Sequence, residues 1–282
     1  MKCVPVGLIF VTLALCQTDP LITVKPGPQV IKDKDLWEKT GIIHPFRRMP
    51  AYIAKDQKAI WTSPFHTRKS DIKWWAIFGG ATAALVATDH LTVQQLPNSN
   101  SQVTFSNWAS RIGSAYSLIP ISAGFYFIGS ARHDERFRET GLIAFEALID
   151  ANLVAVVVKL AANRARPLEG NGRGQFGDSP NGRWNSSFPS GHAINTWALA
   201  SVVAHEYPKP VVYVIAYGLA TTVVAARVGA RKHFPGDVMA GGAMGWFIGD
   251  YVYGRRHNRE LDHKKPVASR ILDHVHFGAD IQ

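Results

Sequence analysis

Three short segments carry residues whose types and spacing suit phosphate chemistry. The first runs from Lys159 to Arg166-Pro167, the second is Phe188-Pro189-Ser190-Gly191-His192, and the third runs from Arg227 through His233 to Asp237. Lys159 and Arg166 stand seven apart, which on one continuous helix puts them on the same face with Asn163 between them. Pro167 then marks the helix end. Two cations at a helix end suit a phosphate dianion, Arg166 as a planar fork and Lys159 as a point charge. Ser190 reads as a helix N-cap, and Gly191 lets the backbone approach a ligand closely. The N–H groups and dipole of that helix start make an anion site, where His192 can protonate a leaving-group oxygen. Arg227 ends the next helix, and His233 precedes Pro235, a natural first-turn residue. Asp237 can accept from one nitrogen of His233 and leave the other free to attack phosphorus. A zinc site of His192, His233 and Asp237 is a competing reading, disfavoured because Lys159, Arg166 and Arg227 would crowd cations around the metal. Arg231 and Lys232 read as surface charges. Residues 168–187 form a loop rich in Gly, Asn and Ser that carries Arg173, Arg183 and Trp184. A loop of that length reads as a lid or substrate-selecting element.

The elements that must position these residues are helical. Six apolar stretches with helical character run over 74–91, 112–131, 141–163, 190–205, 210–227 and 235–255, and no strand-like alternation of any length occurs. The expected fold is all-α, a six-helix bundle with an irregular N-terminal arm. Residues 1–16 have the charged, apolar, small-residue order of a secretory signal. Residues 17–73 read as an irregular arm whose aromatics pack on the body, 74–255 as the helical catalytic domain, and 256–282 as a charged tail. Both cysteines, Cys3 and Cys16, lie in the leader, so cleavage after Cys16 would leave no thiol chemistry. Lipid attachment at Cys16 is the alternative, disfavoured by the bulky Leu15 before it.

The net charge of +10 points to an anionic partner, a phosphorylated small molecule or a lipid surface. The basic residues are dispersed and follow no nucleic-acid recognition motif, so no nucleic-acid partner is expected. Only 112–131 meets the length and apolarity of a bilayer span cleanly. The stretch 141–163 carries Glu146 and Asp150, costly in lipid unless they face a bundle interior. The Arg-rich loop 132–138 would also fall outside the cytoplasm if a cleaved signal preceded six spans. The expectation is therefore an exported, water-soluble or peripheral protein of the periplasm or cell envelope, with membrane association left open.

The ordered trio of motifs resembles the type 2 phosphatidic acid phosphatase superfamily, which includes class A acid phosphatases and vanadium haloperoxidases. The resemblance covers about residues 141–255. It implies that His233 is the nucleophile forming a phosphohistidine, that Asp237 orients it and that His192 is the general acid. It further implies that Lys159, Arg166, Ser190, Gly191 and Arg227 cradle the phosphoryl group. No metal or other cofactor is implied in the phosphatase branch, where vanadate would act as an inhibitor. One departure stands out: Ala226 precedes Arg227 where the pattern usually has Ser. The implied function is a metal-independent phosphatase acting on lipid phosphates or pyrophosphates, or on soluble phosphomonoesters. The alternatives are a haloperoxidase that takes vanadate as cofactor and a catalytically silent envelope scaffold.

Overall fold

A computed structural model of the protein describes residues 44–66, 69–96 and 99–263. Among them every regular element is helical. In chain order the α-helices are α1 (His44–Thr62), α2 (Lys69–Gln95), α3 (Asn100–Ser110), α4 (Ala115–Ala131), α5 (Glu135–Ala162), α6 (Gly191–Glu206), α7 (Pro210–Gly229) and α8 (Pro235–Arg256). Short 3-10 turns fall at Ser63–His66, Arg111–Gly113, Arg183–Asn185 and Arg259–His263. The six apolar stretches correspond to α2 and α4–α8. The leader 1–16, the beginning of the arm (17–43) and the end of the tail (264–282) lie outside the described residues.

The core forms where α5, α6 and α8 meet. Ile143, Ala147 and Ala151 of α5 pack with Ile194, Ala198 and Val202 of α6 and with Ile248 and Val252 of α8. The glycines of α8 set how closely it can lie on α6. A Cβ at Gly245 would stand 2.1 Å from the Ile194 carbonyl oxygen, and one at Gly249 would stand 2.4 Å from that of Ala198. Small residues spaced by four let two helix backbones approach in this way. The same stripe reaches the site, because a Cβ at Gly241 would stand 2.7 Å from the Ser190 carbonyl oxygen.

The arm read as irregular is a helix over much of its described length. In α1, Met49 joins a cluster with Tyr126 and Leu142, and Phe46 meets the Tyr126 ring edge-on at 5.2 Å. The helix escapes an apolar-period reading because polar side chains also point inward. Asp56 Oδ2 pairs with Arg256 Nη2 at 2.5 Å, and Gln57 donates to Asp150 Oδ1 at 2.8 Å. The polar helix α3 was likewise absent from the apolar pattern.

The expectation of a water-soluble or peripheral bundle is overturned. Four helical segments are long and apolar enough to cross a membrane: Ile72–Gln95, Asn100–Ala131, Glu135–Ala162 and Pro210–Gly229, with mean hydropathies of 1.3, 1.3, 2.0 and 1.8. Their outward faces expose Trp75, Ile77, Phe105, Trp108, Phe127, Ile128, Val214 and Leu219. Such a surface is solvated by lipid and would aggregate in water. The chain is therefore an integral membrane protein. The charges that argued against this are turned inward, since Glu146 pairs with Arg256 at 2.7 Å and Asp150 accepts from Gln57. Interior partners remove the cost of placing carboxylates at membrane depth. Helices α6 and α8 are not among these segments; they pack on each other and on α5 at the centre of the bundle.

Candidate active site

The three motifs converge where the C-terminal end of α5, the start of α6, the end of α7 and the start of α8 come together. Helix α5 stops earlier than Pro167 implied. Asn163 takes a left-handed conformation (φ 44°, ψ 44°) and its N–H caps the Lys159 carbonyl. Asparagine tolerates that conformation better than most residues. Lys159 and Arg166 are therefore not neighbours on one helical face; Arg166 reaches the site from the segment after the cap. Lys159 Nζ donates to the Ser186 carbonyl, and Arg166 is held by Asn185, with Nε to the backbone oxygen at 3.1 Å and Nη2 to Oδ1 at 2.9 Å.

Ser190 caps α6 as expected, accepting from Ala193 N at 3.4 Å, and its own N–H donates to the Asp237 carbonyl at 3.0 Å. A Cβ at Gly191 would meet nothing within 4 Å, so this helix start opens onto free space. His192 is half-buried in the first turn. Burial, reinforced by Arg227, His233, Arg166 and Lys159, pushes its pKa down to about 3.

His233 is 2 % exposed, and its Nδ1 lies 2.8 Å from the Ser187 carbonyl oxygen. A carbonyl only accepts, so Nδ1 carries the proton and Nε2 holds a free lone pair. Burial keeps the ring neutral, with its pKa lowered to about 4. The group that fixes the tautomer is therefore the Ser187 carbonyl, while the Asp237 carboxylate is 3.7 Å from Nδ1. Asp237 does its work one step further back. Its Oδ2 accepts from the Ser187 hydroxyl at 2.5 Å and from Phe234 N at 2.8 Å, and its Oδ1 pairs with Arg164 at 2.6 Å. With both oxygens so engaged, Asp237 is a poor zinc ligand.

Arg164, Ser187 and Asp89 are site residues that sequence reasoning missed. Arg164 is 1 % exposed and joins Asp237 to Asp89 of α2, with Nη2 to Asp89 Oδ2 at 2.8 Å. Its guanidinium lies between the rings of Phe176 and Phe234, at 4.8 and 4.5 Å. Its place two residues before Arg166 was the available signal. Arg231 is likewise no surface charge, for it is half-buried and donates to the Leu96 carbonyl at 2.5 Å. Ala226 is 8 % exposed in the last turn of α7.

The loop 168–187 is tied to the chain after α5 by backbone bonds. Ala165 N donates to Gln175 O, Gly177 N to Ala162 O, Ser179 N to Asn163 O and Ser187 N to Arg164 O, all at 2.7–3.1 Å. Arg173, Arg183 and Trp184 are exposed on the loop; Arg183 donates to the Leu160 carbonyl at 3.2 Å, and Trp184 is 73 % exposed.

Lys159, Arg166 and Arg227 form no ion pair with a carboxylate among the described residues, and Arg227 Nε is buried without a hydrogen-bond partner. Arg227 makes one weak bond, from Nη1 to Ser110 Oγ at 3.3 Å. Cations without a carboxylate partner beside a helix start and a neutral histidine can hold an anion. Residues 140–260 match the family model described as the PAP2 superfamily. The chain is 34 % identical over 120 residues to the lipid A 1-phosphatase of Rhizobium etli, covering 41 % of this chain and 51 % of that relative. It is 34 % identical over 110 residues to the enzyme of the same name from Rhizobium johnstonii, covering 38 % and 44 %. The chain thus spans about half the length of the curated relatives it matches. A transmembrane PAP2-type phosphatidylglycerolphosphate phosphatase from Bacillus subtilis superposes with a TM-score of 0.46 at 20 % identity, covering 79 % of this chain and 98 % of that one.

Proposed function

We propose that this chain is a membrane phosphatase that removes a phosphate group from a lipid through a phosphohistidine at His233. The observation that carries the reading is His233 itself: a buried neutral ring, protonated at Nδ1, beside cations with no acidic partner. Lys159, Arg166, Arg227 and the N–H of Gly191, at the helix start that Ser190 caps, would hold the equatorial phosphoryl oxygens. Nε2 of His233 attacks phosphorus, the bond to the leaving oxygen breaks, and His192 delivers a proton to that oxygen. In the second step His192 takes a proton from water, whose oxygen attacks phosphorus and releases His233. No step calls for a metal, and vanadate would compete for the same seat. The lipid-solvated surface and the names of the relatives support a lipid phosphate as substrate over a soluble one.

The test is phosphate release by the chain purified in detergent, with lipid A, phosphatidate, isoprenyl pyrophosphate and soluble phosphomonoesters compared directly. At least one lipid should be turned over 10-fold or more faster than any soluble ester; a soluble ester matching the best lipid would overturn the substrate class.

The three cations bear on the acid role of His192. They disfavour its protonation in the empty pocket, and a bound phosphate dianion reverses that field. Proton uptake should accompany phosphate or vanadate binding at pH 6–7, read by calorimetry in buffers of different ionisation enthalpy. His192→Ala should slow lipid substrates, whose alkoxide leaving groups need a proton, by about 10²-fold or more beyond its effect on activated aryl phosphates. Equal losses on both would remove the acid role.

A further inference from the structure

At the other end of the bundle, α5, α6 and α8 converge on a second cluster that the phosphoryl site does not use. Glu139 stands near the start of α5, Glu206 is the last residue of α6, and His257 follows the end of α8. From His192 to Glu206 along α6 is about 21 Å, at about 1.5 Å per residue. Glu139 is 2 % exposed, Glu206 0 % and His257 9 %. Both oxygens of Glu206, Oε2 of Glu139 and Nδ1 of His257 are buried without a hydrogen-bond partner among the described residues. Buried polar groups left unmatched are costly, and a ligand that engages them relieves that cost.

We infer that Glu139, Glu206 and His257 form a structural site for a divalent transition-metal ion such as zinc. His257 Nδ1 lies 3.4 Å from Glu139 Oε1 and 3.4 Å from Glu206 Oε2. That is long for a hydrogen bond. Two donors bound tetrahedrally to one zinc at about 2.05 Å stand about 3.3 Å apart, which is the separation observed. The three ligand atoms all lie within 4.8 Å of one another. The other ring nitrogen, Nε2, is 3.0 Å from Asp262 Oδ1, and the ring stacks on Tyr253 at 4.5 Å. A carboxylate behind a histidine is the usual support of a metal-bound imidazole.

Charge leads to the same assignment. Glu206 sits at the negative end of α6, and His257 sits at that of α8. Three carboxylates gather there with one guanidinium: Arg136 Nε is 3.9 Å from Glu206 Oε1, and its Nη2 is 3.7 Å from Asp262 Oδ1. A divalent ion with a neutral His257 brings that group to zero net charge. The ion would clamp the far ends of the three helices whose near ends carry Lys159, Ser190 and His233.

The test uses the untagged full chain, purified in detergent without chelator, equilibrated with zinc and desalted before elemental analysis, alongside calorimetric titration. Wild type and His233→Ala should each hold about one zinc per chain, placing the ion away from the phosphoryl site. Glu206→Gln and His257→Ala should hold less than a tenth of that, and Asp262→Asn should weaken binding by about 10–100-fold. Wild type that binds no zinc at tens of micromolar overturns the site. So does a Glu206→Gln protein that binds as tightly as wild type, or zinc that disappears with His233→Ala.

Discussion

His233→Ala should lower phosphate release by about 10⁴-fold or more, the scale seen when a nucleophile is deleted from a preorganised centre. It should also abolish label trapped on the protein when a lipid carrying radioactive phosphate is mixed and quenched in alkali within one turnover. The size follows from the buried ring and its fixed tautomer: among the described residues no other side chain takes the place of Nε2. The Ser187 carbonyl loses its donor in the variant, which costs about 1–3 kcal/mol of stability. A thermal melt must therefore accompany the assay. A folded His233→Ala protein that still traps label would remove the nucleophile assignment. His192→Ala gives the opposite pattern, since it should still trap label from an activated aryl phosphate and release it slowly.

Arg164→Met should have the largest effect on stability, about 3–5 kcal/mol, the range for removing one partner from a buried ion pair. Arg164 is the only guanidinium joined to both Asp89 and Asp237 among the described residues, and it also donates to the Gly174 carbonyl at 2.9 Å. Methionine fills the space between Phe176 and Phe234 but leaves two buried carboxylates facing each other. The melting temperature in detergent reads the loss. Asp89→Asn added to Arg164→Met should recover part of it, because one of the stranded charges is then gone. Arg164→Lys should fall between, since an ammonium cannot fork to two carboxylates. Activity should drop with each, because Asp237 positions Ser187 and Ser187 positions His233. An Arg164→Met protein melting within a degree or two of wild type would disprove this chain of support.

The bundle and most of the candidate site were legible because their signals are local. Ser190, Gly191 and His192 mark a helix start by residue type, and Pro235 sets the start of α8 two residues after His233. The four-residue glycine spacing of α8 is likewise visible in the chain, and it is what lets that start lie against Ser190. Where the reading failed, the deciding partner was distant or was backbone. Asp56 and Gln57 made α1 look polar, until Arg256 and Asp150 supplied their partners across the bundle. The same partners hid the membrane, because Glu146 and Asp150 are costly in lipid only if they face it.

The sequence by itself determined the kit: two histidines, three cations, a capping serine and helical elements to carry them. Those are matters of side-chain chemistry and of spacing within a few turns. Only the tertiary structure decided which group holds His233, because every residue has a carbonyl and only the fold brings that of Ser187 to Nδ1. It alone joined Asp89, Arg164 and Asp237, residues far apart in the chain. It alone sorted the charges inward and the apolar faces outward into lipid. Burial and proximity belong to the packed chain, and they turn a phosphate-friendly set of residues into a buried neutral histidine beside cations with no acidic partner.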